Sequence, residues 1–222
     1  MKLIKKGVNP FLWESLLKMQ GNSLFDNYYL VGGTALSLQI GHRSSEDIDL
    51  FTKGKINKEE ILEYVKENIS NDYKIKNNSN IIYQLFSEKK NLKLDFVQIT
   101  YDLLDPLIIE EGIRMIDKND IAAMKISASG TRVSEAKDFI DIYFLLQYMS
   151  FEKMMKNFIK KYQTDDVLHY LRSVIYFDDI DKENWESVKF LNKRIPDKVI
   201  KEKLIKEVVE YERNKLYGIK GD

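Results

Sequence analysis

Residues 47–51 read Asp-Ile-Asp-Leu-Phe, and this short run constrains the chain more than any other. Acidic and apolar residues alternate with the period of a β-strand. Asp47 and Asp49 therefore share one face, while Ile48 packs the other way. Such a strand belongs to a sheet with one buried face and one face carrying two carboxylates. Two carboxylates placed this way repel by roughly 2–4 kcal/mol at an effective dielectric near 20. Either a divalent cation sits between them, or the strand end is solvated. Magnesium suits the first arrangement, because it keeps several waters and takes its remaining ligands from substrate phosphates.

A second strand raises the same question. Asn91-Leu92-Lys93-Leu94-Asp95-Phe96-Val97 is strongly apolar with an acid in its middle. Aspartate disfavours strands, and a buried unpaired carboxylate is costly. Beside residues 47–51, Asp95 supplies a third oxygen ligand and an acceptor for the proton of an attacking hydroxyl. On an edge strand it would instead face solvent together with Lys93, which points the same way.

Upstream, Leu30-Val31-Gly32-Gly33-Thr34-Ala35-Leu36 runs from an apolar strand through two glycines into a helix. Glycines let a backbone approach a ligand closely, and a helix start offers free N–H groups and a positive dipole end to an anion. The unit reads as a phosphate cradle or as an ordinary tight turn. His42 and Arg43 lie in the loop before Asp47. The Arg43 guanidinium either grips a phosphate there or pairs with Glu46 on the surface.

Composition narrows the chemistry. Among 222 residues there is no cysteine and there are two histidines, His42 and His169. Disulfides, thiolate zinc sites and a cysteine nucleophile are excluded. A bound metal needs carboxylate ligands, which favours magnesium or manganese over zinc. Lys+Arg and Asp+Glu both number 35, so any polyanion site must come from local clustering. Lys53, Lys55, Lys89, Lys90 and Lys93 are candidates for a basic groove beside the acids. No run approaches the ~18 apolar residues of a membrane span, and the basic N-terminus lacks the apolar stretch of a signal peptide. A cytoplasmic protein is the expectation. His169, Trp13 and Trp185 read as packing residues.

Pro10 opens a helix that Gly21-Asn22 ends. Tyr28–Val31 reads as a strand, Thr34–Ile40 as a helix and Ile48–Phe51 as a strand. Asn57 caps a helix running to about Asn68. Three further strands follow at Tyr73–Lys76, Ile81–Ser87 and Leu92–Ile99, with a hairpin turn at Lys89-Lys90-Asn91. Beyond Pro106 the pattern becomes helical: Asp120–Ser129, Ser134–Met149, then helices with short breaks to the end. The expectation is an α/β half over residues 1–116, a small mixed sheet flanked by helices, and a helical half over 117–222. On the Ser134–Met149 helix, Asp138 shares the core-facing stripe with Ile142, Leu145 and Met149. It either pairs with Lys125 or interacts with the helix dipole from the first turn. Lys137 and Asp141 pair at i, i+4 on the surface.

Val31-Gly32-Gly33-Thr34-Ala35-Leu36, followed by Gly41-His42-Arg43-Ser44-Ser45-Glu46-Asp47-Ile48-Asp49-Leu50-Phe51, resembles the signature of the AbiEii/AbiGii nucleotidyltransferase toxins. Asp120-Ile121-Ala122-Ala123-Met124-Lys125, through Arg132 to Lys137-Asp138-Phe139-Ile140-Asp141, resembles that family's later motifs. The family belongs to the DNA polymerase β superfamily and acts in abortive infection and type IV toxin–antitoxin systems. The resemblance covers about residues 28–150. It implies an α+β protein, with a minimal polymerase β-type domain followed by a helical half that completes the active site. It also implies transfer of a nucleoside monophosphate from a nucleoside triphosphate to an acceptor hydroxyl, with Mg2+ or Mn2+ at Asp47, Asp49 and Asp95. Gly32, Gly33, Thr34, Arg43, Ser45 and Arg132 would bind substrate. Lys125 would contact the nucleotide phosphates, and Asp138 would anchor that lysine or help bind the nucleotide. RNA such as tRNA is the implied acceptor and an antitoxin the implied partner. The same fold modifying a protein or a small molecule, or serving as a non-catalytic nucleotide-binding module, are the alternatives.

Overall fold

The computed structural model describes residues 2–131 and 134–217. They fall into two units, Met1–Asp117 and Lys118–Asp222. In the first unit the strands are β1 (Tyr29–Leu30), β2 (Asp47–Thr52), β3 (Lys74–Asn78), β4 (Ile82–Ser87), β5 (Leu92–Gln98), β6 (Ile108–Glu110) and β7 (Ile113–Met115). They form one mixed sheet in the order β3-β4-β5-β2-β1-β7-β6. β2 sits at its middle, antiparallel to β1 and parallel to β5. The alternation seen in the sequence is realised there: Ile48 and Leu50 are fully buried, and the acids lie on the opposite face.

Three helices accompany this sheet: α1 (Pro10–Gln20), α2 (Gly32–Ile40) and α3 (Lys58–Asn68). The Asn9 side chain accepts from the Leu12 amide at 2.8 Å and Pro10 occupies the first turn, so α1 starts where its proline predicts. Asn57 caps α3 by accepting from the Glu60 amide. Leu12, Leu16 and Met19 of α1 are fully buried. The Phe25 ring lies 5.2–6.0 Å from the rings of Tyr28, Tyr64 and Phe96.

The β6–β7 hairpin was not anticipated. Its strands have three residues each, too short for a periodic signal. Its turn uses positive φ at Glu111 (50°) and Gly112 (82°), the geometry that suits a tight hairpin. Long-range bonds hold it in place. β7 pairs in parallel with β1 at Leu30–Met115. The Gln20 side chain bonds the Arg114 backbone at both its N–H and its carbonyl, and the Arg114 guanidinium donates to the Phe25 and Tyr28 carbonyls.

The second unit contains α4 (Lys118–Thr131), α5 (Ala136–Leu145), α6 (Phe151–Tyr162), α7 (Val167–Val174), α8 (Lys182–Ser187) and α9 (Asp197–Tyr217). The helical character expected after Pro106 therefore begins at Lys118, past the hairpin. The Lys161 ammonium and the Asp120 carboxylate, both without solvent exposure, join α6 to α4. Trp185 packs within 6.4 Å of the Phe139 and Phe177 rings, and the His169 ring reaches the Gly130 carbonyl at 2.7 Å. Among the described residues no helix is long and apolar enough to cross a membrane.

Asp72, just before β3, gathers donors from both sides of the β3–β4 hairpin. Its carboxylate accepts from the Ser70 hydroxyl, from the Ser87 hydroxyl at 2.7 Å and from the Lys89 amide at 3.2 Å. The Ser70 and Ser87 hydroxyls, with the Lys89 amide, pull its carboxyl down to about 2. A depressed folded pKa contributes stability that is present above the unfolded value near ~3.9 and is lost as pH falls through the folded one. Asp72→Asn should therefore lower stability at neutral pH and flatten its decline between about pH 4 and pH 2. Urea denaturation across that range measures it; an unchanged acid limb would show that Asp72 does not contribute.

Candidate active site

The glycine pair forms the first turn of α2, two residues earlier than periodicity alone placed the helix start. Gly32 has φ +70°, in the region that favours glycine. A Cβ there would stand 2.5 Å from Asp49 Oδ2. One at Gly33 would stand 2.5 Å from an Arg43 guanidinium nitrogen and 3.2 Å from Ser45 Oγ. The glycines thus let a carboxylate and a guanidinium press against the helix start. Val31, the residue before the helix, makes no side-chain cap bond, so it leaves the first-turn N–H groups to other acceptors.

The polar residues of the following loop support this turn from inside. Thr34 is fully buried and hydrogen-bonds Ser45 Oγ at 2.8 Å and the Asp47 carbonyl. Arg43 is 3% exposed; its guanidinium donates to the Ser44 carbonyl at 2.9 Å, and its own carbonyl accepts from Ser37 Oγ at 2.6 Å. Side-chain contact with substrate was expected of Thr34, Ser45 and Arg43. In the structure the Thr34 and Ser45 hydroxyls are buried and bond within the loop. The Arg43 charge lies beneath Gly33 and not on the surface.

Parallel pairing of β2 with β5 sets Asp47 opposite Lys93 and Asp49 opposite Asp95. All four side chains share one sheet face. The Lys93 ammonium lies 3.2 Å from Asp95 Oδ2 and 3.8 Å from Asp47 Oδ2. Burial alone would lower the Lys93 pKa, but the Asp47, Asp95 and Asp49 carboxylates outweigh it and push the ammonium's pKa up. Asp95 Oδ2 also accepts from Gln84 Nε2 at 3.1 Å. Asp95 Oδ1 is buried with no hydrogen-bond partner. Among the described residues no group of three or more His, Cys, Asp or Glu side chains is closed tightly enough to hold a metal ion. The donor chemistry, rather than the present arrangement, suits a hard divalent cation: carboxylate oxygens on one sheet face, one of them buried and still lacking a partner.

In the helical unit, Lys125 of α4 lies 2.9 Å from Asp138 and 2.6 Å from Asp141, both fully buried on α5. Asp138 meets both readings of the sequence. It pairs with Lys125, and its other oxygen accepts from the Glu135 amide in a capping box at the helix start. Asp141 was misplaced: Lys137 pairs with Glu135 at 2.7 Å, and Asp141 points inward. Its three-residue spacing from Asp138 was the available signal, since positions i and i+3 share a helix face. Arg132 lies outside the described residues. Three of the lysines suggested for a basic groove have near neighbours. Lys53 pairs with Asp102, Lys90 stands over the Phe11 ring and Lys93 turns to the acids.

The sequence profile of the nucleotidyl transferase AbiEii toxin family, type IV toxin–antitoxin system, matches residues 16–204. The chain belongs to this family. An uncharacterized protein of Aquifex aeolicus (strain VF5) is 31% identical over 189 residues, 79% of this chain and 85% of that protein. The fold is similar to MenT4, a nucleotidyltransferase toxin of Mycobacterium tuberculosis H37Rv, with a TM-score of 0.61 and 12% identity over 89% of this chain and 80% of that one. It is similar as well to a protein of H. pylori assigned as a nucleotidyltransferase, with a TM-score of 0.56 and 21% identity over 96% of each chain. This AbiEii member is thus an α+β nucleotidyltransferase, and Asp47, Asp49, Asp95, Lys125 and Asp138 all fall within the matched residues.

Lys125→Ala removes an ammonium from between two buried carboxylates and should cost about 3–5 kcal/mol of stability. Asp138→Asn takes away one of those charges, so the double variant should lose less than the sum of the single ones. Urea denaturation of the three variants tests this, and strict additivity would show that Lys125 and Asp138 act independently.

Proposed function

We propose that this AbiEii member transfers a nucleoside monophosphate from a nucleoside triphosphate to an acceptor hydroxyl on RNA, with Asp47, Asp49 and Asp95 holding a divalent metal. The observation that carries the reading is the sheet face shared by Asp47, Asp49 and Asp95, on which Asp95 Oδ1 is buried without a hydrogen-bond partner, beside a helix start built from Gly32 and Gly33. The first-turn N–H groups, with the Arg43 guanidinium beneath Gly33, bind and orient the triphosphate. Asp95 takes the proton of the attacking hydroxyl. That oxygen bonds to the α-phosphorus as the bond to pyrophosphate breaks, and pyrophosphate leaves with its electron pair. Magnesium or manganese, when bound, offsets the negative charge that grows on the phosphoryl oxygens. In the helical unit Asp138 and Asp141 fix the Lys125 ammonium, the residue that the family resemblance gives to the nucleotide phosphates.

RNA is favoured as acceptor because a toxin must act on something essential, and tRNA offers a free terminal hydroxyl. Such substrates place the reaction in the cytoplasm, and a toxin–antitoxin family implies a cognate antitoxin as partner.

Incubating the protein with each of the four labelled triphosphates, purified tRNA, total RNA and total protein tests this reading. Label should enter RNA, and Asp49→Asn should abolish it while leaving the fold intact. A variant retaining more than about a tenth of the activity, a barrier change under ~1.4 kcal/mol, would sink the assignment of Asp49. Label entering protein only would replace the acceptor. In a bacterial host the wild type should slow growth and Asp49→Asn should not, at equal protein levels. Equal arrest by both would assign the effect to expression burden or binding.

A further inference from the structure

Lys93 is not needed by the reaction as described, yet it occupies the place where a cation is wanted. It lies two residues before Asp95 on β5 and opposite Asp47 on β2, so the sheet pleat delivers its side chain to the carboxylate face. Its ammonium bridges Asp95 and Asp47 at 3.2 and 3.8 Å. The fully buried residues on the other face, Ile48, Leu50, Leu94 and Phe96, fix the strand register, so this placement does not depend on the lysine. More than a third of the side chain is exposed, which leaves the ammonium a way out toward solvent.

We infer that Lys93 acts as a resident counter-cation that competes with the divalent metal for Asp47 and Asp95. This rests on the proposal that a metal serves at these carboxylates. One ammonium balances part of the repulsion among the three acids when no metal is bound. A divalent ion must displace it, and the displaced ammonium then needs a new anionic partner. A nucleoside triphosphate supplies one. Free metal therefore binds weakly, and metal enters together with nucleotide. Asp95 Oδ1, buried and without a partner even with Lys93 in place, shows that the ammonium satisfies the site incompletely. Lys93 is a positioning residue in this scheme, since it acts through the carboxylates and not on the reacting atoms.

The test is direct binding of Mn2+, read from the electron paramagnetic resonance signal of the free ion, with wild type, Lys93→Met, Lys93→Arg and Asp49→Asn. Lys93→Met should bind Mn2+ about tenfold more tightly in the absence of nucleotide. Lys93→Arg, which keeps the charge, should stay near the wild type. With a triphosphate analogue that resists α–β cleavage, the gap between Lys93→Met and wild type should narrow. A lysine that only ties β5 to β2 would leave Mn2+ affinity unchanged or weaken it when removed. That outcome, with binding still lost in Asp49→Asn, overturns the inference and leaves the metal reading standing. Mn2+ binding indifferent to Asp49→Asn overturns both. Should Lys93→Met fail to fold, the wild type decides: Mn2+ should speed acylation of the Lys93 amine, measured by mass spectrometry, and an unchanged rate overturns the inference.

Discussion

Like charges on a shared sheet face are the constraint around which the α/β unit is built. β2 and β5 pair in parallel, with Asp47 beside Lys93 and Asp49 beside Asp95. A slip of one residue would turn the acids into the core and the apolar side chains out. Ile48 and Leu50 on one strand, and Leu94 and Phe96 on the other, prevent it by being wholly buried. The hydrophobic face thus pays for the polar one: burial holds three carboxylates on one sheet face against their repulsion. A parallel pair needs a long connection, and α3, β3 and β4 make it.

The start of α2 adds the complementary charge. A carboxylate lies against Gly32 and a guanidinium against Gly33, each closer than a side chain at those positions would allow. Buried hydroxyls of Ser37, Thr34 and Ser45 lock the loop that carries Arg43. Positive and negative groups from the loop after α2 and from β2 are thus held against the start of α2.

The helical unit depends on interior charge in a different way. Lys125 and Lys161 are both buried, and each meets aspartate across a helix pair: Lys125 of α4 with Asp138 and Asp141 of α5, Lys161 of α6 with Asp120 of α4. Buried pairs of this kind contribute little net stability against apolar packing, but losing one partner is costly. They penalise any packing of α4 that separates the partners. Asp120 and Lys125 sit five residues apart on α4, so this single helix is pinned to two neighbours.

What the sequence by itself determined is what neighbouring residues decide. Asn9, Pro10 and Asn57 mark helix starts through local hydrogen bonds and a fixed φ. Alternation along residues 47–51 and 92–97 sets which side chains share a face, because the pleat has a period of two. The glycine pair, the Asp47–Asp49 couple and the family likeness follow from such short-range patterns. What only the tertiary structure decided is partnership between distant segments. The β6–β7 hairpin exists because Leu30, Gln20 and Phe25 supply its hydrogen bonds from more than eighty residues away. Asp141 turns inward because Lys125 waits on another helix. Lys93 reaches acids because β5 lies beside β2, a neighbour forty-six residues upstream in register. A charge takes its role from the nearest opposite charge, and that neighbour is chosen by packing.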